Sequence, residues 1–245
     1  MNLRILSYNI HKGYNLFRTR FTVAEIRDYL RQTGADIVFL QEVQEIQARR
    51  FPGFRRERLD SKLEFLADEV WPHFAYGKNA IYQNGHHGNA ILSKFPFVES
   101  FNTDLSQNRF EKRGLLHGRV RLGGDVFLDL FNSHLDLLHG SRTRQLRRII
   151  EMVGTRSDQH PLILAGDFND WRNRLGPMVE RDLQAAEVHR TVHGRPGLTF
   201  PSVLPLVSLD RVFVRGFRVE SAWVGHGMLH SDHLPLVAEI QLLSK

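Results

Sequence analysis

Leu162-Ile163-Leu164-Ala165-Gly166-Asp167-Phe168-Asn169 is the stretch on which the fold turns. It opens with an apolar run too short for a helix, which reads as a buried strand. It then breaks at once into a glycine and two short polar side chains of the kind that close Asx-turns. Alone, such a turn is ordinary surface structure. The same pattern recurs, however, at four other places. Leu3–Ile10 carries Ser7-Tyr8-Asn9 at its end, Asp36–Leu40 runs into Gln41-Glu42, and Val126–His134 finishes on Ser133-His134 before Leu135-Asp136. Ser231-Asp232-His233 introduces Leu234–Ile240. Strand ends gather along one rim of a packed sheet, so polar residues at five of them predict a single pocket.

Helix signals separate these strands. Thr22-Val23-Ala24-Glu25 is a capping box opening a helix to about Gln32, with Gly34 as its stop. Ser61–Val70 places Leu63, Leu66 and Val70 on one helical face, and Ser141 is the expected cap of a helix to Thr155 with the stripe Leu146, Ile149, Ile150 and Val153. Further strands are expected at Asn89–Ser93, Leu115–Leu122, Leu209–Val214 and Val219–Val224. Many strands and few helices in mixed order imply an α+β fold in which sheet packs on sheet with helices outside. A four-layer α/β/β/α sandwich of two mixed sheets satisfies that pattern. No repeat, low-complexity tract or linker divides the chain, so residues 1–245 are expected to form one domain.

The chain has 245 residues, 42% of them hydrophobic and 24% charged, which excludes wholesale disorder and fibrous structure. It contains no cysteine, which removes disulfide scaffolds, thiolate zinc sites, iron–sulfur clusters and cysteine nucleophiles. Lys and Arg number 33 against 27 Asp and Glu, a formal charge of +6, so an acidic partner is expected: nucleic acid, an anionic membrane surface or a phosphorylated small molecule. The first residues hold no signal-peptide core, and no run approaches the roughly 18 apolar residues of a spanning helix, so the expected location is cytoplasmic.

Glu42, Asp167, Asn169, Asp232 and Asn9 offer the hard oxygen donors that suit Mg²⁺, with Mn²⁺ as a substitute. His134 and His233 can exchange protons near neutral pH. Hard cation, histidine and carboxylate together are the equipment for hydrolysing a phosphate ester. Each residue also has a bland explanation: a glutamate after a strand is commonly a solvated loop residue, and an Asp-His pair is commonly surface polarity.

The five segments, with Leu209-Asp210-Arg211-Val212-Phe213, resemble the endonuclease/exonuclease/phosphatase superfamily, whose motif order they follow from position 7 to position 236. Gln41-Glu42-Val43, Gly166-Asp167-Phe168-Asn169 and Ser231-Asp232-His233-Leu234-Pro235 in series make the resemblance specific. It implies the four-layer DNase I-like sandwich and a Mg²⁺-dependent phosphoesterase. By the same resemblance Glu42 is the main metal ligand, helped by Asn9 and Asp232. His233 paired with Asp210 polarises water or contacts phosphate, Asp167 orients the nucleophile or acts as base, Asn169 donates to a phosphate oxygen, and His134 touches the phosphate or the leaving oxygen. Without the resemblance, Asp210 and Arg211 read equally as an outward pair on a half-buried strand.

Candidate substrate contacts are Asn89, Arg113, Arg142, Gln145 and Trp171, with Phe200 and Trp223 as further aromatic surfaces. Two basic runs, Arg49 to Arg58 and Arg142 to Arg148, read either as solvated charge or as a wall receiving an anion. The adjacent His86 and His87 lack the spacing of a metal site. His11 stands where abasic-site endonucleases of the superfamily carry an aspartate, which sets this chain apart from that branch. Cleavage of a nucleic-acid phosphodiester is the first expectation. A phospholipid headgroup phosphodiesterase or a phosphatase is the alternative, with Val203–Val207 as the apolar loop that peripheral membrane contact needs. An inactive binding module is the remote alternative.

Overall fold

The period-2 pattern of the apolar strands determines the architecture. In the computed structural model, which describes residues 1–46, 62–82, 85–108, 111–156, 160–227 and 229–243, the first strand is β1 (Asn2–Asn9), followed by helix α1 (Val23–Thr33) and β2 (Ile37–Ile46). Helix α2 (Lys62–Ala67) leads to β3 (His73–Tyr82), β4 (Gly85–Ser93), β5 (Phe97–Asp104), β6 (Gly114–Gly123) and β7 (Val126–His134). Then come α3 (His139–Arg156), β8 (Leu162–Asp167), α4 (Gly176–Leu183), β9 (Ala186–Glu187), α5 (Val188–His193), β10 (Asp210–Arg215), β11 (Phe217–Val224) and β12 (Leu236–Leu242).

The strands form two six-stranded sheets, ordered β11-β12-β1-β2-β4-β3 and β5-β6-β7-β8-β10-β9. Each holds one parallel pair at its centre, β1 with β2 and β7 with β8. Their remaining pairings are antiparallel. Leu3, Ile5, Ile37 and Phe39 of one sheet pack with Leu128, Leu130, Ile163, Ala165, Val212 and Val214 of the other. Their sequence neighbours Leu6, Tyr8, Val38 and Leu40 turn outward against Val23, Ile26, Leu30 and Leu66 of α1 and α2. On the far side Phe131, Leu162, Leu164 and Phe213 pack against Leu146, Ile149, Val153 and Val179 of α3 and α4. The four layers are therefore helix, sheet, sheet, helix, as expected. Full burial of one Leu or Ile contributes roughly 1.5–3 kcal/mol, so these three clusters supply the main stabilisation.

Several local expectations change. Thr22 makes no cap bond at α1; its hydroxyl donates instead to the His230 carbonyl at 2.5 Å, and Glu25 pairs with Arg20. The capping box is thus given up to tie the 230 loop down. Gly34 does end α1, at φ 64°. Ser141 lies inside α3, which starts at His139 rather than at a serine cap. Strand β2 continues past Leu40 to Ile46.

Candidate active site

Alternation along each strand aims the polar ends. Since Ile5, Phe39, Leu130, Ala165 and Val212 face the gap between the sheets, so do Asn9, Gln41, Asn132, His134, Asp167 and Asp210 on the same parity. Register brings them level: His134 stands beside Asp167 in the β7–β8 pair, Asp210 faces Asp167 in the β8–β10 pair, and Asn9 stands beside Gln41. Asn9 then crosses between sheets, its Nδ2 donating to Asp167 Oδ2 at 3.0 Å.

Two backbone departures complete the arrangement. Glu42 has the parity of the helix-facing side, but it sits in a β-bulge: the register jumps between Leu40 and Val43, and Glu42 adopts φ 55°. A bulge re-aims a side chain, and here it turns the carboxylate to within 4.0 Å of His134 Nδ1. At Gly166, φ is 143° and a Cβ would lie 1.8 Å from the Ser133 carbonyl oxygen, so only glycine allows β8 this close to β7.

Asp167 is the hub. Its Oδ2 lies 3.4 Å from His134 Nε2 and 3.7 Å from His233 Nε2, and its Oδ1 accepts from the Asn169 backbone N–H at 2.9 Å. His233 Nδ1 is 2.8 Å from Asp210 Oδ2. Thr199 Oγ1 accepts from the Leu209 and Asp210 N–H groups at 3.3 and 3.2 Å, which steadies the aspartate. Asp210 itself is fully buried.

The two histidines are in opposite states. Burial resists charge on His233, but Asp210 and Asp167 beside it overcome this and raise its pKa to about 10. His134 is driven well below the ordinary imidazole value by burial, and by the charges of Arg113 and His233. Hydrogen bonding agrees: Asn169 Nδ2 donates to the Leu135 carbonyl at 2.9 Å, so its second hydrogen is directed at His134 Nε2, 3.1 Å away. That nitrogen must accept, which puts the His134 proton on Nδ1, facing Glu42. Burial raises Asp167 to about 6, with His233 pulling down and Asp210 pushing up.

Beneath this layer Gln41 pairs with Asn132, a residue the sequence did not single out, and the pair joins the sheets. Gln41 Nε2 donates to Asn132 Oδ1 at 2.8 Å, and Asn132 Nδ2 donates to the Leu40 and Ala90 carbonyls at 2.9 and 2.8 Å. The available signal was an asparagine at an inward, otherwise apolar position of β7.

The candidate substrate residues divide. Arg113 and Glu42 line a cleft of ≈ 520 Å³ with Lys12, Tyr82, His87 and Lys112. Trp171 is 45% exposed, with its ring 5.7 Å from Phe200, whose ring is 5.0 Å from His233. Asn89 is buried, and its Nδ2 donates to the Gly114 and Asn132 carbonyls at 3.3 and 3.4 Å. Arg142 donates to the Asp136 and Leu137 carbonyls, while Gln145 accepts from the Asp136 N–H at 2.9 Å and donates to the Leu105 carbonyl at 3.1 Å. Those two hold the loop after His134. Trp223 is half-exposed on the edge strand β11. Of the basic runs, 49–58 lies outside the described residues, and in α3 Arg144 bonds Gln107 Oε1 and Arg148 the Asp104 carbonyl, both at 3.0 Å.

Donor chemistry decides which residues can hold a cation. Among the described residues, the Glu42 carboxylate has no partner closer than His134 and opens on the cleft. Asn9 Oδ1 accepts one bond, from the His11 N–H at 3.0 Å, leaving a lone pair. Asp232 is partly exposed and 3.5 Å from His11 Nδ1. These oxygens fit a hard divalent ion. Asp167, Asp210 and His233 also have ligand atoms within 4.8 Å of one another. In His233 the ring nitrogen Nδ1 is taken up by Asp210, so Nε2, on the Asp167 side, is the atom left to meet a cation or a phosphate oxygen.

A model of the Endonuclease/Exonuclease/phosphatase family matches residues 6–233. The chain belongs to this family. It is 40% identical to the uncharacterized protein YbhP of Escherichia coli K12, across 98% of this chain and 97% of that protein. An endonuclease/exonuclease/phosphatase from Beutenbergia cavernae superposes with a TM-score of 0.84 at 24% identity, over 99% of this chain and 72% of that one. The D. rerio TDP2 complexed with single strand DNA product superposes with a TM-score of 0.73 at 22% identity, over 98% of this chain and 99% of that one. At these identities the likeness to the solved structures is one of fold. Membership of the endonuclease/exonuclease/phosphatase family supports a phosphoester hydrolase, and the family is generally metal-dependent.

Proposed function

We propose that this protein is a divalent-cation-dependent phosphodiesterase, with Mg²⁺ as the working ion and Mn²⁺ as a substitute. The observation that carries the reading is geometric: two imidazoles, His233 held by Asp210 and His134 held by Asn169, meet about one carboxylate, Asp167. Glu42, with Asn9 and Asp232, would hold the ion, which when bound neutralises phosphate oxygens and stabilises the leaving oxygen. His233, fixed by Asp210, presents Nε2 as a cationic donor to a phosphate oxygen. Asp167 accepts the proton of an attacking water, since it is ionised above about pH 6. Asn169 holds the His134 ring by its Nε2, leaving Nδ1–H as a donor on the Glu42 side. No side chain need form a covalent intermediate.

Lys12 and Lys112 on the cleft wall, with Arg113 paired to Glu111 beside them, support a polyanionic substrate, and nucleic acid is the first reading. Arg144 and Arg148 of α3, engaged with Gln107 and Asp104, lend it no further support. A lipid headgroup diester is the second reading, favoured by the exposure of Val203, Leu204 and Leu206. The test is turnover of bis(p-nitrophenyl) phosphate, DNA, RNA, inositol phosphates and phospholipid with Mg²⁺, Mn²⁺ or EDTA. Wild type should turn over a diester only with metal, and Asp167→Ala and His233→Ala should each lose that turnover. Equal rates in EDTA, or full activity in both variants, would refute the reading.

A further inference from the structure

The loops that carry the site also carry exposed apolar side chains. Leu137 and Leu138 follow β7, Trp171 follows Asn169, Leu204 and Leu206 cap the segment standing on Phe200, and Leu229 precedes Ser231; all are between 45% and 66% exposed. Backbone bonds tie two of these loops to residues of the site. The Trp171 N–H donates to the Asn169 carbonyl at 3.1 Å, Leu206 to Phe200 at 2.9 Å, and Ser202 to Asp232 at 2.8 Å. Scattered leucines on a surface need no explanation, but apolar tips on successive loops around one opening mark an interaction surface.

Charge selects the partner. Segments 137–141, 171–174, 200–207 and 226–231 contain no Asp or Glu. Trp171 is followed by Arg172 and Arg174, both exposed. Leucine tips free of acidic residues, beside a tryptophan tip flanked by arginines, match a bilayer interface, where apolar groups enter the acyl boundary and cations meet lipid phosphates. A polynucleotide is gripped by cations and ring faces, and the leucines offer it neither.

We propose that the rim around His233 docks on an anionic lipid bilayer, seating Leu137, Leu138, Trp171, Leu204 and Leu206 among the headgroups. Seating the rim places the Asp167–His233 site against the headgroups, which favours the second reading above, a phosphodiester in a lipid headgroup, over nucleic acid. That second step rests on the phosphodiesterase reading above; the docking step does not.

Flotation of the full chain with vesicles tests docking apart from activity. Wild type is expected to float with phosphatidylethanolamine/phosphatidylglycerol vesicles and far less with phosphatidylcholine alone, and to be released by high salt. Leu204→Ser with Leu206→Ser, at exposed positions, should lower partitioning at least about tenfold, since each leucine withdrawn from an apolar phase is worth that much. The double variant should keep wild-type turnover of bis(p-nitrophenyl) phosphate. Trp171 fluorescence should shift to the blue on adding anionic vesicles, and the shift should vanish in Trp171→Phe. Flotation equal in wild type and the double variant, or none with either lipid, would overturn the proposal. So would a dimer that the double variant loses without any flotation, or salt-sensitive DNA binding with no vesicle association. Vesicle binding without turnover of any diester would leave docking standing and refute the phosphodiesterase reading alone.

Discussion

Asp210→Asn tests the heart of the site, because asparagine keeps the shape and removes the charge. His233 is held at about 10 against an ordinary value of 6.5. A histidine whose folded pKa lies above its unfolded one contributes stability that is complete below 6.5 and is lost as pH rises through about 10. The full difference, 10 − 6.5 = 3.5 pH units at about 1.36 kcal/mol each, is about 5 kcal/mol. Between about pH 7 and about pH 9 the unfolded chain sheds this proton while the folded chain keeps it, a loss on the order of 2–3 kcal/mol in wild type. Asp167, titrating at about 6, lies below that window. In Asp210→Asn the ring is still buried but has lost its nearest counter-charge. Its pKa should fall well below about 10, since Asp167 and Asp232 are left to oppose burial without it, and the His233 part of the slope should shrink. Urea unfolding across this pH range with chelator present, beside an NMR titration of the imidazole, measures both quantities. The same variant should lose roughly 10²–10³ in kcat/KM near neutral pH, because a neutral ring offers the phosphate no positive charge. Groups common to the two proteins cancel in the difference. An Asp210→Asn stability curve parallel to wild type from pH 7 to 9 would therefore refute the claim that Asp210 sets the charge of His233.

Glu42→Gln should abolish metal-dependent turnover and the rise in Tm on adding Mg²⁺, while leaving the Tm in EDTA within a few degrees of wild type. The measurement is thermal unfolding with and without metal. Gly166→Ala should cost at least about 3 kcal/mol, because the backbone is at φ 143° and the new Cβ would meet the Ser133 carbonyl at 1.8 Å. Urea melts, or failure to recover soluble protein, would register it. Asn132→Leu removes the shortest bond of the Gln41 amide, which keeps Ser7 Oγ and the Phe39 carbonyl at 3.3 Å, and both side-chain bonds to the Leu40 and Ala90 carbonyls, and should lower unfolding free energy by about 2–4 kcal/mol. Turnover of wild type should climb with pH through about 6 as Asp167 loses its proton, and a flat acid limb in kcat would remove Asp167 as the base.

What the sequence disclosed and what it hid divide along physical lines. Where a strand has one face on the inter-sheet core, alternation alone places its side chains, so the inward aim of Asn9, His134, Asp167 and Asp210 was legible from Ile5, Leu130, Ala165 and Val212. Strand β5 was not, because its residues are intermediate or exposed throughout and give no alternation to read. Edge strand β3 fails for the same reason at its exposed end, and the short α4 and α5 lie below the length at which helical periodicity separates from chance. The Thr22 box misled because a tertiary acceptor, the His230 carbonyl, outcompeted the local one.

Glu42 is the instructive case. Strict alternation from Phe39 and Gln41 sends it into the helical layer, where an unpaired carboxylate would be untenable. The chain avoids this with one extra residue and a positive φ, which no pattern of residue types announces. The protonation of the histidines is hidden more deeply still. His134 and His233 are the same residue at the ends of similar strands, and nothing local distinguishes them. The difference comes from partners far away in the chain: Asp210 accepts from one ring, while Asn169 donates to the other. Sequence parity therefore delivers two imidazoles to one carboxylate. The three-dimensional choice of an acceptor for one and a donor for the other makes the first a cation and the second a neutral ring, and that asymmetry gives the two rings different work on one phosphate.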